Sequence, residues 1–194
     1  QERADADLGA ARTIQASLLE SPRVGESGPV SWASFSRPSR VVGGDFHDVN
    51  LRPGGGVDVV LGDVMGKGLP AALLGAACLN HVFRAAAASG PSARLCQILS
   101  RTNQTLTPEL VRLETFASMI LVRIDGDPLR LTVADAGHAS LVIRGADGGV
   151  FKPRGRETLL GVEREPFGET TVALSPGDLI VVFTDGLTDV GRKS

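Results

Sequence analysis

The spacing of apolar and polar positions changes several times along the chain, and each change marks an element. Between residues 2 and 19, Leu8, Ala11, Ile14 and Leu18 recur at helical spacing, and Ser21-Pro22 ends the run. A helix over 2–19 fits two arrangements: packed on its own domain, or descending as a linker from an upstream one. Alternation then predicts a strand over 30–35. Two more are expected over 41–51 and 57–63, joined through Arg52-Pro53-Gly54-Gly55-Gly56 into a hairpin that brings Asp45 near Asp63. From 69 to 89 the chain is rich in Ala and Leu, with Pro70 suited to a first helical turn. The many alanines predict close packing against another helix. Ser89-Gly90-Pro91 breaks this helix. Ser92 is the expected cap of a second, over 93–106, with Leu95, Ile98, Leu99 and Leu106 on one face.

The remainder reads as β. Strands over 115–124 and 129–136 flank a Gly126-Asp127-Pro128 turn. Shorter strands over 140–144 and 150–152 flank Ala146-Asp147-Gly148-Gly149. Residues 153–168 read as loop. Strands over 170–174 and 179–183 form a last hairpin around Ser175-Pro176-Gly177-Asp178. The fold class is α+β, with mainly antiparallel strands and an inserted helical pair.

Composition narrows the function. A chain of 194 residues suits one domain, and 42% hydrophobic with 22% charged residues is a globular balance. A net charge of −2, with basic residues scattered, argues against nucleic acid or an anionic membrane surface as partner. Cys78 and Cys96 lack CxxC spacing, which excludes a thiolate metal site; two buried thiols are the expectation. The apolar run 69–82 is interrupted by Asn80 and His81 and reads as too short to span a bilayer. The charged start, Gln1-Glu2-Arg3-Ala4-Asp5, is not a signal region. The expectation is a soluble cytoplasmic protein, or a soluble part of a larger one, without membrane insertion.

Three aspartates then stand out. Asp45, Asp63 and Asp185 each follow an apolar β run with glycine beside them. Taken singly, each can be a turn residue or a cap. Together they suit hard divalent cations, which take oxygen ligands, and a two-ion centre that activates water against a phosphate ester. A competing motif is Gly62-x-x-x-Gly66-Lys67 between strand and helix. It has one residue too few for a P-loop and Gly68 where Ser or Thr is needed, and Asp63 would put a negative charge in the cradle. No pair among His47, His81 and His138 has zinc-ligand spacing. His81 reads as packed or surface; His138, at a glycine turn, can be structural or belong to a site. Ser118 and Ser140 lack the context of an activated nucleophile.

These motifs resemble a known family. Val42-Gly43-Gly44-Asp45-Phe46-His47-Asp48, Gly62-Asp63-Val64-Met65-Gly66-Lys67-Gly68-Leu69-Pro70-Ala71-Ala72, Ala136-Gly137-His138 and Thr184-Asp185-Gly186-Leu187-Thr188-Asp189 look like the SpoIIE/RsbU-type branch of the PPM (type 2C) metal-dependent serine/threonine phosphatases. Ile14-Gln15-Ala16-Ser17-Leu18-Leu19 is similar to the helix that enters such domains.

The resemblance implies a β-sandwich of two antiparallel sheets flanked by helices, with residues 1–21 a linker helix from an upstream sensor and 22–194 the phosphatase domain. It implies two Mn2+ or Mg2+ ions: Asp63 bridging both, Asp45 and the Val64 carbonyl serving one, Asp185 the other. Gly44, Asp48, Lys67, His138 and Asp189 are candidates for supporting or substrate contacts. Leu69, Pro70, Ala71 and Ala72 open the helical pair expected to regulate activity. The implied reaction is attack of an activated water on phosphoserine or phosphothreonine of a STAS-domain anti-sigma-factor antagonist, regulating a sigma factor. The sequence departs from the family pattern in three ways. His47 replaces the usual tyrosine. Met65 stands where eukaryotic relatives carry a histidine. The family's further metal-binding aspartate is expected beyond residue 194, and Asp189 is too close to Asp185 to replace it. A catalytically weak, partner-binding pseudophosphatase is the alternative, and a scaffold dimerised through 2–19 a third reading.

Overall fold

The computed structural model describes residues 9–10, 12–15, 17, 23–36, 42–153, 158–162 and 166–189. Residues 9–10, 12–15 and 17 are helical, as expected; the rest of the 2–19 segment lies outside the described residues. In chain order the strands are β1 (Arg23–Ser27), β2 (Val30–Ser34), β3 (Phe46–Leu51), β4 (Gly56–Val64), β5 (Ala117–Gly126), β6 (Leu129–Ala136), β7 (Leu141–Arg144), β8 (Val150–Phe151), β9 (Thr170–Ala173) and β10 (Leu179–Val182). Beyond that N-terminal helical stretch, the helices among the described residues are α1 (Leu69–Ser89), α2 (Leu95–Arg112) and the single turn α3 (Gly186–Asp189).

Among the described residues three antiparallel sheets result: a central one in the order β3-β4-β5-β6-β9, a second in the order β10-β7-β8, and the β1–β2 hairpin. Side-chain alternation sorts the central sheet into two faces. Ala117, Met119 and Leu121 of β5 join Phe46, Val60 and Val64 under α1 and α2. Ile120, Val122 and Ile124 join Val49, Val57, Leu131 and Val133 against Leu141 and Ile143 of the second sheet. Both faces of β5 are therefore buried, which is why its sequence is apolar nearly throughout. The layers are helices, central sheet, second sheet. Burying one leucine such as Leu99 or Leu106 contributes about 2 kcal/mol.

Helix α1 sits close to the sheet because its buried stripe is small: Ala71, Gly75, Cys78, Val82 and Ala85. A Cβ at Gly75 would lie 3.1 Å from the Gly44 carbonyl oxygen and 3.3 Å from the Phe46 ring. The apolar run continues past His81 to Ser89, and the helix is long and apolar enough to cross a membrane, unlike the expectation drawn from 69–82. Here its buried stripe packs on β3, β4 and α2.

Helix α2 departs from expectation at both ends. Ser92 is not its cap. The Gln97 carboxamide accepts from the Arg94 N–H at 3.2 Å. Glu169, distant in sequence, accepts from the Cys96 N–H at 3.0 Å and from Arg94 Nε at 2.8 Å. A carboxylate there meets the helix dipole as well as an orphan N–H. The helix also runs six residues further, through Pro108 to Arg112, because Leu106 and Leu110 are both wholly buried. The expected last hairpin does not form. Strand β9 pairs with β6 in the central sheet and β10 with β7 in the second. Residues 175–178 are a crossover between sheets, held by Asp178, which accepts from the Ser175 and Ala146 N–H groups. Cys78 and Cys96 are buried free thiols, as expected.

Candidate metal centre

The site is built where β3 begins and β4 ends. Phe46 pairs with Gly62 across the β3–β4 ladder, so Asp45, one residue earlier, lies at the register position of Asp63. Asp63 is in turn opposite Ser118, and Val64 opposite Ala117, on β5. Two glycines make this possible by close approach. A Cβ at Gly62 would strike the Phe46 ring and come 2.6 Å from the Ser118 carbonyl oxygen. A Cβ at Gly44 would come 2.6 Å from the Val64 carbonyl oxygen and 2.9 Å from Asp63 Oδ1. The Gly44 backbone thus lies directly against both groups, and its carbonyl accepts from the Val64 N–H at 3.4 Å.

The third carboxylate arrives from the other sheet. After β10 the Phe183 N–H donates to the Ser140 carbonyl at 3.0 Å, and the chain turns into α3 with Asp185 exposed at its start. Thr184 Oγ1 donates to Asp45 Oδ2 at 3.3 Å, joining the two strand ends.

These carboxylates share one electrostatic field. Burial pushes Asp63 up to about 6, and Asp45 and Asp185 push it the same way; the Val64 N–H opposes them. Burial also raises Asp45, against the Thr184 hydrogen bond, with Asp185 raising it further and His138 lowering it. Among the described residues no lysine or arginine contributes to either shift. Such a pocket stabilises added positive charge. Its donors are carboxylate and carbonyl oxygens, the set that suits Mg2+ or Mn2+ rather than softer metals. The residues therefore fit a hard divalent cation in donor chemistry. They are not drawn into one coordination shell: among the described residues no group of three His, Cys, Asp or Glu is gathered tightly enough to hold an ion.

The other expected residues fall in several places. His138 is buried beside the site, with Nδ1 3.0 Å from Ser118 Oγ and Nε2 3.0 Å from the Phe183 carbonyl oxygen. Burial lowers its pKa, against the Phe183 hydrogen bond and the Asp135, Asp45 and Asp185 carboxylates. Asp48 instead pairs with Arg23 of β1 at 2.8 Å. Lys67 is exposed in the turn between Gly66 (φ 118°) and Gly68 (φ 76°). His47 is half-buried, its pKa lowered by burial. His81 contacts Thr105 between the helices at 2.9 Å. Leu69 and Pro70 are exposed, Ala71 buried and Ala72 half-buried at the start of α1. Asp189 ends α3, and its side chain lies outside the described residues.

Sequence reasoning missed four supporting residues. Thr184 adjoins Asp185 and was visible only as part of that motif. Ser118 reaches the site through β-sheet register alone. Asp135 accepts from the His138 N–H at 2.8 Å and the Ala139 N–H at 3.1 Å, fixing the turn; its place before Gly137 was the available signal. Gln15 binds both backbone groups of Gly43 across 28 positions, which no local pattern reveals.

Comparison with known proteins agrees with this architecture. The chain is 24% identical over 193 residues to phosphoserine phosphatase RsbU of Bacillus subtilis (strain 168), covering 97% of this chain and 55% of RsbU. The chain thus spans about half of that relative. The SiaA-PP2C domain of Pseudomonas aeruginosa superposes with a TM-score of 0.76 at 24% identity, over 96% of this chain and 73% of that one. RsbX in complex with magnesium superposes with a TM-score of 0.69 at 18% identity, over 86% and 79%. The family model for Stage II sporulation protein E (SpoIIE) matches residues 53–194, from the β3–β4 turn through α3. The fold is that of the PP2C phosphatases, and the chain belongs to the SpoIIE family.

Proposed function

We propose that this domain is a metal-dependent protein serine/threonine phosphatase. The observation that carries the reading is the convergence of Asp45, Asp63 and Asp185 from strand ends of two sheets, with no lysine or arginine offsetting Asp45 or Asp63 among the described residues. Asp63 would hold two ions, Asp45 and the Val64 carbonyl one of them, Asp185 the other. Bound there, Mn2+ or Mg2+ supplies a Lewis acid for the phosphoryl oxygens and a source of hydroxide near neutral pH. Thr184 orients Asp45 through its hydroxyl. Gly44 brings backbone against Asp63 where any side chain would intrude. The similarity to RsbX in complex with magnesium supports the choice of ion.

The proposed substrate is a phosphorylated STAS-domain anti-sigma-factor antagonist, a reading supported by the similarity to RsbU. Residues 1–21 are proposed to link the domain to an upstream sensor and to allow a homodimer, in the cytoplasm. Regulation through 69–72 is supported by the contact of Gly75 on the same helix with Gly44. The test is phosphate release from p-nitrophenyl phosphate and from a phosphoserine-bearing STAS protein, with Mn2+ and with chelator. Asp63→Asn and chelation should each slow release at least about 100-fold; rates equal to the untreated wild type would sink the proposal.

A second reading is a partner-binding pseudophosphatase. Calorimetric titration with Mn2+ separates the two: two tight sites argue against the pseudophosphatase.

A further inference from the structure

We propose that His138 is a positioning residue that ties the Asp63 strand to the Asp185 corner, one ring nitrogen to each. The inference rests on the metal-dependent reading above. Ser118, the partner of Nδ1, is directly opposite Asp63 in the β4–β5 ladder. Phe183, the partner of Nε2, is two residues before Asp185. A carbonyl oxygen only accepts, so Nε2 carries the ring proton and Nδ1 of the neutral ring accepts from the Ser118 hydroxyl.

The ring is anchored at its own end as well. Asp135 accepts from the His138 and Ala139 N–H groups. Gly137 (φ 70°) and Ala139 (φ 52°) take left-handed conformations around it, and Gly137 bridges to Met119. A rigid turn thus presents one planar ring whose two nitrogens span the central sheet and the segment leaving the second sheet. Those two sheets deliver the carboxylates separately, and catalytic constellations tolerate errors of only about 0.5 Å. With both nitrogens engaged, His138 supports the site by spacing it, not by passing a proton.

The two arms can be cut one at a time. An asparagine carboxamide reaches the position of Nδ1 and keeps Ser118; a glutamine carboxamide reaches that of Nε2 and keeps Phe183. His138→Asn, His138→Gln and Ser118→Ala are compared with wild type by Mn2+ calorimetry, thermal melting and hydrolysis of p-nitrophenyl phosphate. His138→Asn should weaken one Mn2+ site by about 10-fold or more, the scale of losing an outer-shell partner. It should raise the Mn2+ concentration for half-maximal turnover equally, and His138→Gln and Ser118→Ala, which each cut the arm to Ser118, should raise it likewise. If wild type binds two Mn2+ and all three variants match it, the positioning role is overturned and the metal reading stands. Affinity losses that simply track Tm across the variants also overturn it. Hydrogen exchange of the metal-free protein reads the tie directly: His138→Asn should speed exchange at the Phe183 and Leu187 amides, and His138→Gln should not. Equal exchange overturns the proposal whether or not the wild type binds metal. A wild type that binds no Mn2+ sinks the metal reading separately.

Discussion

The Gln15 carboxamide grips Gly43 by both of its backbone groups. Nε2 donates to the Gly43 carbonyl at 2.7 Å, and Oε1 accepts from the Gly43 N–H at 3.2 Å. Gly43 is two residues before Asp45. The N-terminal helical segment is therefore bound to the backbone that leads into the site. Each such bond is worth about 1 kcal/mol net. Gln15→Ala should lower stability by about 1–2 kcal/mol and Tm by about 5 °C. It should also speed hydrogen exchange at Gly43. Unchanged exchange there would show that the grip does not hold in solution.

Gly62 should tolerate no side chain. A Cβ would meet the Phe46 ring and the Ser118 carbonyl, both in a buried layer. Gly62→Ala should cost about 1–3 kcal/mol in urea denaturation, the range for overpacking. Gly43→Ala is the control, since nothing lies within 4 Å of a Cβ there. Equal losses at the two positions would contradict the packing argument.

The carboxylate of Asp63 titrates near 6, above its ordinary 3.8. A carboxylate raised in the folded state binds its proton more tightly there than in the unfolded chain. Its contribution is full below pH 3.8 and is lost as pH rises through about 6. In metal-free protein, Asp63→Asn should therefore match wild type near pH 3.8 and exceed it at pH 7. The gain should be about 1 kcal/mol after allowing for solvent screening, or about 3 °C in Tm. Mn2+ affinity of the wild type should fall below pH 6, as protons compete for the same oxygens. A stability difference independent of pH would remove the argument.

Asn103, buried on α2, accepts from the Gly161 N–H at 3.0 Å and from Thr107 Oγ1 at 3.1 Å. Asn103→Leu keeps the apolar contacts and strands the Gly161 N–H. It should cost about 2 kcal/mol. The midpoint in urea should fall with an unchanged slope. A midpoint at the wild-type value would mean that water replaces Asn103.

Much of the fold was legible from local chemistry. The β3–β4 hairpin, helix α1 and the β5–β6 pair follow from two periodicities and from turn residues, all of which act within a few positions. The errors occurred where a distant partner decides. Glu169, not Ser92, completes the start of α2. The 175–178 turn joins two sheets because the pairing of β9 and β10 depends on exposed edges elsewhere. Strand β1 was missed because its inward positions are Arg23, Gly25 and Ser27, which carry no apolar signal.

The chain by itself determined which residues could bind a hard cation. Carboxylates flanked by glycine at strand ends are chemistry readable residue by residue, and Asp45, Asp63 and Asp185 were named that way. The hairpin register even placed Asp45 beside Asp63. Only the tertiary structure decided how Asp185 joins them, because it comes from the other sheet, and what sets the spacing. Thr184 reaching Asp45, Ser118 and Phe183 meeting His138, and Gln15 holding Gly43 are contacts across 139, 20, 45 and 28 positions. Hydrogen bonds of that reach depend on how sheets and helices pack, and packing is not written in any single stretch of sequence.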